Sequence, residues 1–237
     1  MVYLRTDEIN ELSKKLLNKY RQYVGANWEI FKVEPLRLAE MLGLNVKFVD
    51  FGNESQIMGF TAFNDMCITL TDSNQSDISL ELTGRTVVIN EALKMGCEGR
   101  LNFTLAHEIA HHIIDIVCGA NYSIKFRQLP HFEKPGNRFS LDYDEYMANQ
   151  LAAALLMPDG FVDIVFYKLF EVDRIERIHS ILDKILFKKF CAMAALFGVS
   201  KPALAIRLQK KGLLGEYIFA GYESLLDIYP DTEDSVA

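Results

Sequence analysis

At 237 residues, half apolar and 11% aromatic, the chain has material for one substantial hydrophobic core and is too apolar for a disordered segment. A formal net charge of -7 argues against nucleic acid as the default partner of the whole molecule, while leaving room for a local basic face. No apolar run approaches the roughly 18 residues of a membrane span, and Met1 to Glu8 has no basic region followed by an apolar one. A soluble cytoplasmic protein with no membrane contact is therefore expected.

In chain order, residues 7–24 predict a first helix, capped by Thr6 or Asp7, with Ile9, Leu12, Leu16, Leu17, Tyr20 and Tyr23 at helical spacing. A second begins near Pro35 and stops at Gly43. The period then changes. Asn45–Phe51 alternates as a half-buried strand does, and Gly59–Phe63, Met66–Leu70 and Thr86–Ile89 are further β-branched or apolar runs. Thr71–Asp77 reads as a polar loop, and Glu91–Gly99 leads into a long helix over about 100–118. After Gly119 an irregular segment extends to about Leu141. Helices are predicted over Asp142–Met157, stopped by Pro158, and over 161–170 and 173–190. The expected fold is α+β: a small, mostly antiparallel sheet packed on the long helix and its neighbours. Residues 1–158 would form the core domain and 159–237 a helical extension packed on it. The four cysteines, Cys67, Cys97, Cys118 and Cys191, form no C-x-x-C pair and read as free, mostly buried thiols.

The long helix carries His107-Glu108-x-x-His111. Residues four apart lie one turn apart on one face, so His107 and His111 can offer two imidazole nitrogens to one cation. Glu108 can reach a water on that cation without ligating it, the arrangement a hydrolytic zinc site needs. Two histidines leave such a site one ligand short. Asp115, His131, Glu133, Asp142, Asp144 and Glu145 are the downstream candidates. Asp115 continues the stripe of His111, but a third turn of a straight helix points past the metal, which suits a partner to a ligand imidazole, or simply a solvated carboxylate, better. Glu145 ranks first by spacing. It opens a helix whose Ala148, Ala152 and Ala153 permit close approach, with Asn149 one turn on and able to hydrogen-bond nearby.

These blocks carry a family resemblance. Phe103-Thr104-Leu105-Ala106-His107-Glu108-Ile109-Ala110-His111-His112, then Glu145-x-x-Ala148-Asn149 and Leu155-Leu156-Met157-Pro158, resemble the ImmA/IrrE family of zinc metallopeptidases. The likeness extends over most of residues 30–215, reaching Phe197-Gly198-Val199-Ser200 and Arg207-Leu208. It implies a gluzincin-type protease with one zinc per chain, His107, His111 and Glu145 as ligands, and Glu108 as base. It also implies a protein substrate, a helix-turn-helix repressor of a mobile element or stress response. Two features depart from the family's pattern: a long gap from His111 to Glu145 and an enlarged helical segment over 159–190.

Peptide hydrolysis further needs a donor for the developing oxyanion, and His112, His131, Tyr143 and Tyr146 are candidates between which the sequence does not choose. Over 190–211, a helix, a turn at Gly198 and a second helix capped by Ser200, with Lys201, Arg207, Lys210 and Lys211, are compatible with a helix-turn-helix. An ordinary helical hairpin closing the core fits the acidic chain better. The alternative function is a zinc-containing regulator that binds a repressor or DNA without cutting.

Overall fold

The structure, a computed structural model, describes residues 4–26, 32–52, 57–72, 74–119, 124–128, 143–179 and 184–215. Helix α1 (Thr6–Tyr23) starts where the Glu8 carboxylate accepts a hydrogen bond from the Arg5 N–H at 2.8 Å. Its cap is thus Arg5 and neither Thr6 nor Asp7, because Glu8 reaches back across the first turn. Ile9, Ser13, Leu16 and Tyr20 form its buried face. Helix α2 (Pro35–Met41) opens on a proline, whose missing N–H would have no partner at that position anyway.

Six strands follow: β1 (Asn45–Val49), β2 (Ile57–Ala62), β3 (Met66–Thr71), β4 (Asp77–Leu82), β5 (Thr86–Asn90) and β6 (Ile124–Gln128). Four make one sheet in the order β1-β5-β2-β6, and β3 and β4 form a separate antiparallel hairpin. Within the larger sheet β1 and β5 are parallel, while β2 runs antiparallel to both β5 and β6. The fold class is α+β, as expected. Helix α3 (Glu98–Cys118) lies across one face of the sheet, and α4 (Tyr143–Leu156), α5 (Asp159–Phe170), α6 (Lys184–Phe197) and α7 (Lys201–Lys210) are the remaining helices among the described residues.

Strands with a covered face on each side read as continuous apolar runs, and β5 is buried throughout. Its Val87 and Ile89 join the large core formed with the helices. Val88 faces the other way, into a smaller cluster with Phe51, Phe60, Ala62 and Leu82 over which the β3–β4 hairpin folds. The two-residue strand period therefore directs Gly59 and Thr61 of β2 towards α3, opposite to Phe60 and Ala62. The large core runs from Ile9 to Leu214 and includes Phe166, Phe170, Met193, Phe197, Leu204 and Leu208. Helices α5 to α7 share that core with α1, α3 and α4.

Four expectations are corrected. The polar run after β3 is the tip of a hairpin whose second strand, β4, had not been expected. Asp72 organises the tip, its Oδ1 accepting from Asn74 N–H at 2.9 Å and Ser76 N–H at 2.8 Å. Part of the segment expected to be irregular is strand β6, whose short alternation through Ile124 and Phe126 pairs along β2. The helix expected over 173–190 does not span that range. Helix α5 ends at Glu171 in a left-handed conformation (φ 56°), and Ile175 then bridges to Leu214, its N–H donating to the Leu213 carbonyl at 2.8 Å. The next described residues form helix over Lys184–Phe197. The cysteines are free but not mostly buried: Cys67 is exposed and the other three are half-buried.

Candidate metal centre

Thirteen residues of α3 are buried, among them His107, Glu108, His111 and His112. A helix this apolar on most sides is one wrapped by other elements. Here β2 covers one flank and α4 packs on another, and Ala106, Ala110, Ala148 and Ala152 of the two helices are all buried in their shared core. Alanines on facing helices let the backbones approach closely enough for short side chains to meet across the gap.

Glu145, in the first turn of α4, reaches both histidines. Its Oε2 lies 3.2 Å from His107 Nε2 and its Oε1 3.0 Å from His111 Nε2. The two Nε2 atoms are 3.0 Å apart. Each of the three residues offers one ligand atom, all within 4.8 Å of one another, and together they form a group that could hold a metal ion. The donor chemistry fits one. His107 Nδ1 is 3.1 Å from Asn149 Oδ1, an acceptor, so that nitrogen carries the ring proton and Nε2 presents a lone pair to the gap. Three tetrahedral donors each about 2.0–2.1 Å from a zinc ion would stand about 3.3–3.4 Å apart, close to the separations observed.

Burial would push the Glu145 carboxyl up, but in metal-free protein, with the His107 and His111 rings protonated at Nε2, their hydrogen bonds and then their charge hold it well below the usual carboxylate range. Its place in the first turn of α4 adds the favourable field of a helix N-terminus. Glu108 is fully buried and is gripped from β2: Thr61 Oγ1 lies 2.9 Å from Glu108 Oε2 and 3.0 Å from the Glu108 carbonyl oxygen.

The candidates divide plainly. Among those offered as third ligand, Glu145 joins the histidine pair. Asp115 and Asp144 do not, and Asp115 instead acts through its charge on His112. Nor does Asp115 orient His111, whose Nδ1 is buried without a hydrogen-bond partner among the described residues. His131, Glu133 and Asp142 lie outside the described residues. Of the oxyanion candidates, the Tyr143 hydroxyl donates to the Leu4 carbonyl at 3.4 Å, and Tyr146 lies under the Lys210 ammonium, 5.7 Å from its ring. His112 is buried and stacked on Phe63, and burial, then Arg85, holds its pKa below the ordinary value. The sequence placed Asn149 near the site but gave no hint of Thr61. A threonine in a strand is commonplace, and only the docking of β2 on α3 brings it to Glu108.

The basic residues of the 190–211 hairpin are largely committed within the chain. Arg207 is buried, donating from Nε and Nη2 to the Met157 carbonyl at 3.2 and 3.0 Å and pairing with Asp159 at 3.0 Å. Lys211 pairs with Asp159 and Asp163. This is the bonding of a hairpin that closes a core.

No single helix among the described residues is long and apolar enough to cross a membrane. No curated protein matches the chain. The family model of the IrrE N-terminal-like domain, Peptidase_M78, matches residues 64–209, from the turn before β3 to the end of α7, and so includes all three residues of the metal group. A match over more than half the chain supports a zinc-dependent, protease-like function and assigns it: the chain belongs to the Peptidase_M78 family.

Proposed function

We propose that the protein is a zinc-dependent metallopeptidase that hydrolyses a peptide bond in a partner protein, a helix-turn-helix transcriptional repressor of a mobile element or stress response. The observation that carries the hydrolytic part is the convergence of His107, His111 and Glu145 on one gap, with Glu108 beside them on α3. Two neutral imidazoles and one carboxylate suit zinc, and three protein ligands are the number a catalytic site uses. The choice of a repressor rests on the resemblance to ImmA/IrrE proteins.

Bound by these three residues, zinc would supply Lewis-acid chemistry, making water a competent nucleophile near neutral pH and polarising the scissile carbonyl. The protein's own groups do the rest. Asn149 fixes the His107 ring with its Nε2 lone pair towards the gap. Glu108 takes the proton of the attacking water and returns it to the leaving amine, a transfer worth about 10²- to 10⁴-fold in rate.

The test is metal analysis together with cleavage, comparing wild type and Glu108→Gln against the helix-turn-helix regulator encoded nearest the gene. About one zinc per chain in both, with fragments from wild type alone and a rate at least about 100-fold lower in the variant, is the expected result. Binding without fragments from either would replace the peptidase by a sequestering regulator. Absence of zinc from both would remove the site.

A further inference from the structure

We infer that Thr61 is a positioning residue for Glu108, and that β2 docks on α3 in the register that makes this contact. The inference rests on the hydrolytic reading above and extends it to a strand on which that reading places nothing.

Two observations meet. Thr61 is fully buried, and its Oγ1 stands within hydrogen-bond distance of both the carboxylate Oε2 and the backbone carbonyl of Glu108, at 2.9 and 3.0 Å. A hydroxyl has one proton to donate, and the charged carboxylate is the stronger acceptor. With no water to compete and β-branching restricting the rotation of Thr61, the hydroxyl is held where the carboxylate needs it. The second observation is Gly59, two residues earlier on the same face of β2. A Cβ there would stand 3.4 Å from Thr104 Cγ2 and 3.0 Å from the Val88 carbonyl oxygen and Ile89 Cδ1. The glycine serves the pairing of β2 with β5, whose Val88 and Ile89 atoms a Cβ would crowd, while the ordinary contact distance to Thr104 locates Gly59 beside that residue of α3.

The spacings agree. Two residues of strand advance about 6.7 Å and four of helix about 6.0 Å, so Gly59 against Thr104 sets Thr61 against Glu108. A strand slip of one residue would turn Phe60 or Ala62 towards α3 and remove the donor altogether. Held at one oxygen, the Glu108 carboxylate keeps the orientation a base requires and stays out of the ligand set made by His107, His111 and Glu145.

Thr61→Val removes the hydroxyl at nearly constant shape, and Thr61→Ser keeps it. Both are compared with wild type as zinc-loaded protein, on the nearest-encoded regulator and on fluorescein-labelled casein. The expected result for Thr61→Val is about one zinc per chain, kcat lowered about 10-fold or more and KM within about twofold. Thr61→Ser should recover kcat to within about threefold of wild type. Alongside, Thr61→Val should lower Tm by about 2–4 °C when Glu108 is present and by distinctly less in a Glu108→Ala background. Full kcat in Thr61→Val, failure of serine to rescue, or equal Tm losses in the two backgrounds overturns the inference while leaving the peptidase standing. A wild type that cleaves neither protein overturns the hydrolytic reading and the positioning role with it. In that case the Tm comparison still decides whether the Thr61–Glu108 bond exists.

Discussion

His107 and His111 are the same residue type on one face of one helix, yet their second nitrogens meet different surroundings. Asn149 Oδ1 accepts a hydrogen bond from the Nδ1–H of His107, whereas Nδ1 of His111 has no such partner among the described residues. Their neighbour His112 belongs to neither role. It is buried beside Phe63, and burial disfavours its charged form, with Arg85 adding to the effect and Asp115 opposing it. Because the folded protein resists protonating His112, the unfolded chain takes up that proton first. The stability at stake is complete above the ordinary imidazole value of 6.5 and is lost as pH falls below it. In metal-free protein, where competition between protons and zinc is absent, Tm should fall from pH 6.5 towards 5.5. His112→Phe, which preserves the stack on Phe63, should flatten that fall by about 3 °C per pH unit. An unchanged slope would show that His112 is not the group responsible.

At the scale of elements, α3 is placed by contacts that need small residues. Gly59 of β2 lies beside Thr104 on one flank, and Ala106 and Ala110 are buried in the core that α3 shares with α4. Near the start of α3, Gly99 meets the turn between α6 and α7, where a Cβ would overlap the backbone of Val199 and Ser200. Asn102 adds a hydrogen bond from Nδ2 to the Gly198 carbonyl at 2.9 Å. Gly99→Ala should therefore cost stability, about 2 kcal/mol or more, because two backbones must move apart. Gly160, in α5, has nothing within 4 Å of its Cβ position. Gly160→Ala should raise stability by about 0.5–1 kcal/mol through helix propensity and a less flexible unfolded chain. Urea unfolding of the two variants measures both, and a similar sign for both would contradict this account of α3's docking.

For the whole molecule, the junction of α4 and α5 is a hub. Arg207 reaches from α7 to the Met157 carbonyl and to Asp159, and Lys211 adds ties to Asp159 and Asp163. Burial lowers the Arg207 pKa, opposed by those two aspartates, but a guanidinium stays charged throughout the usable range. Arg207→Leu leaves a buried carbonyl without its donors and should cost about 2 kcal/mol, or about 4–8 °C in Tm. The same variant should leave any salt-sensitive DNA binding unchanged, since a buried arginine is in no position to touch phosphate. A large loss of DNA affinity with an unchanged Tm would reverse that assignment.

His107, Glu108, His111 and the helix under them were legible in the sequence because their relation is local: helical geometry alone brings residues four apart together. Most strands and helices were legible for the same reason, each having a period of its own. Glu145 was legible only as the first of several candidates, since its approach to His107 and His111 depends on how closely two alanine-bearing helices pack. Strand β6 has only a four-residue alternation, Ile124 to Arg127, too short to stand out before its pairing with β2 is seen, and the break at 171–179 and the Thr61 contact were not legible at all. Each arises from pairing or docking between segments far apart in sequence, where the local pattern is ambiguous or, over 173–179, favours a helix that the bridge from Ile175 to Leu214 replaces. The sequence by itself determined the chemistry that could be assembled. The tertiary structure decided which carboxylate completes the metal group and which hydroxyl holds the base, because those choices depend on distances between elements that no single segment encodes.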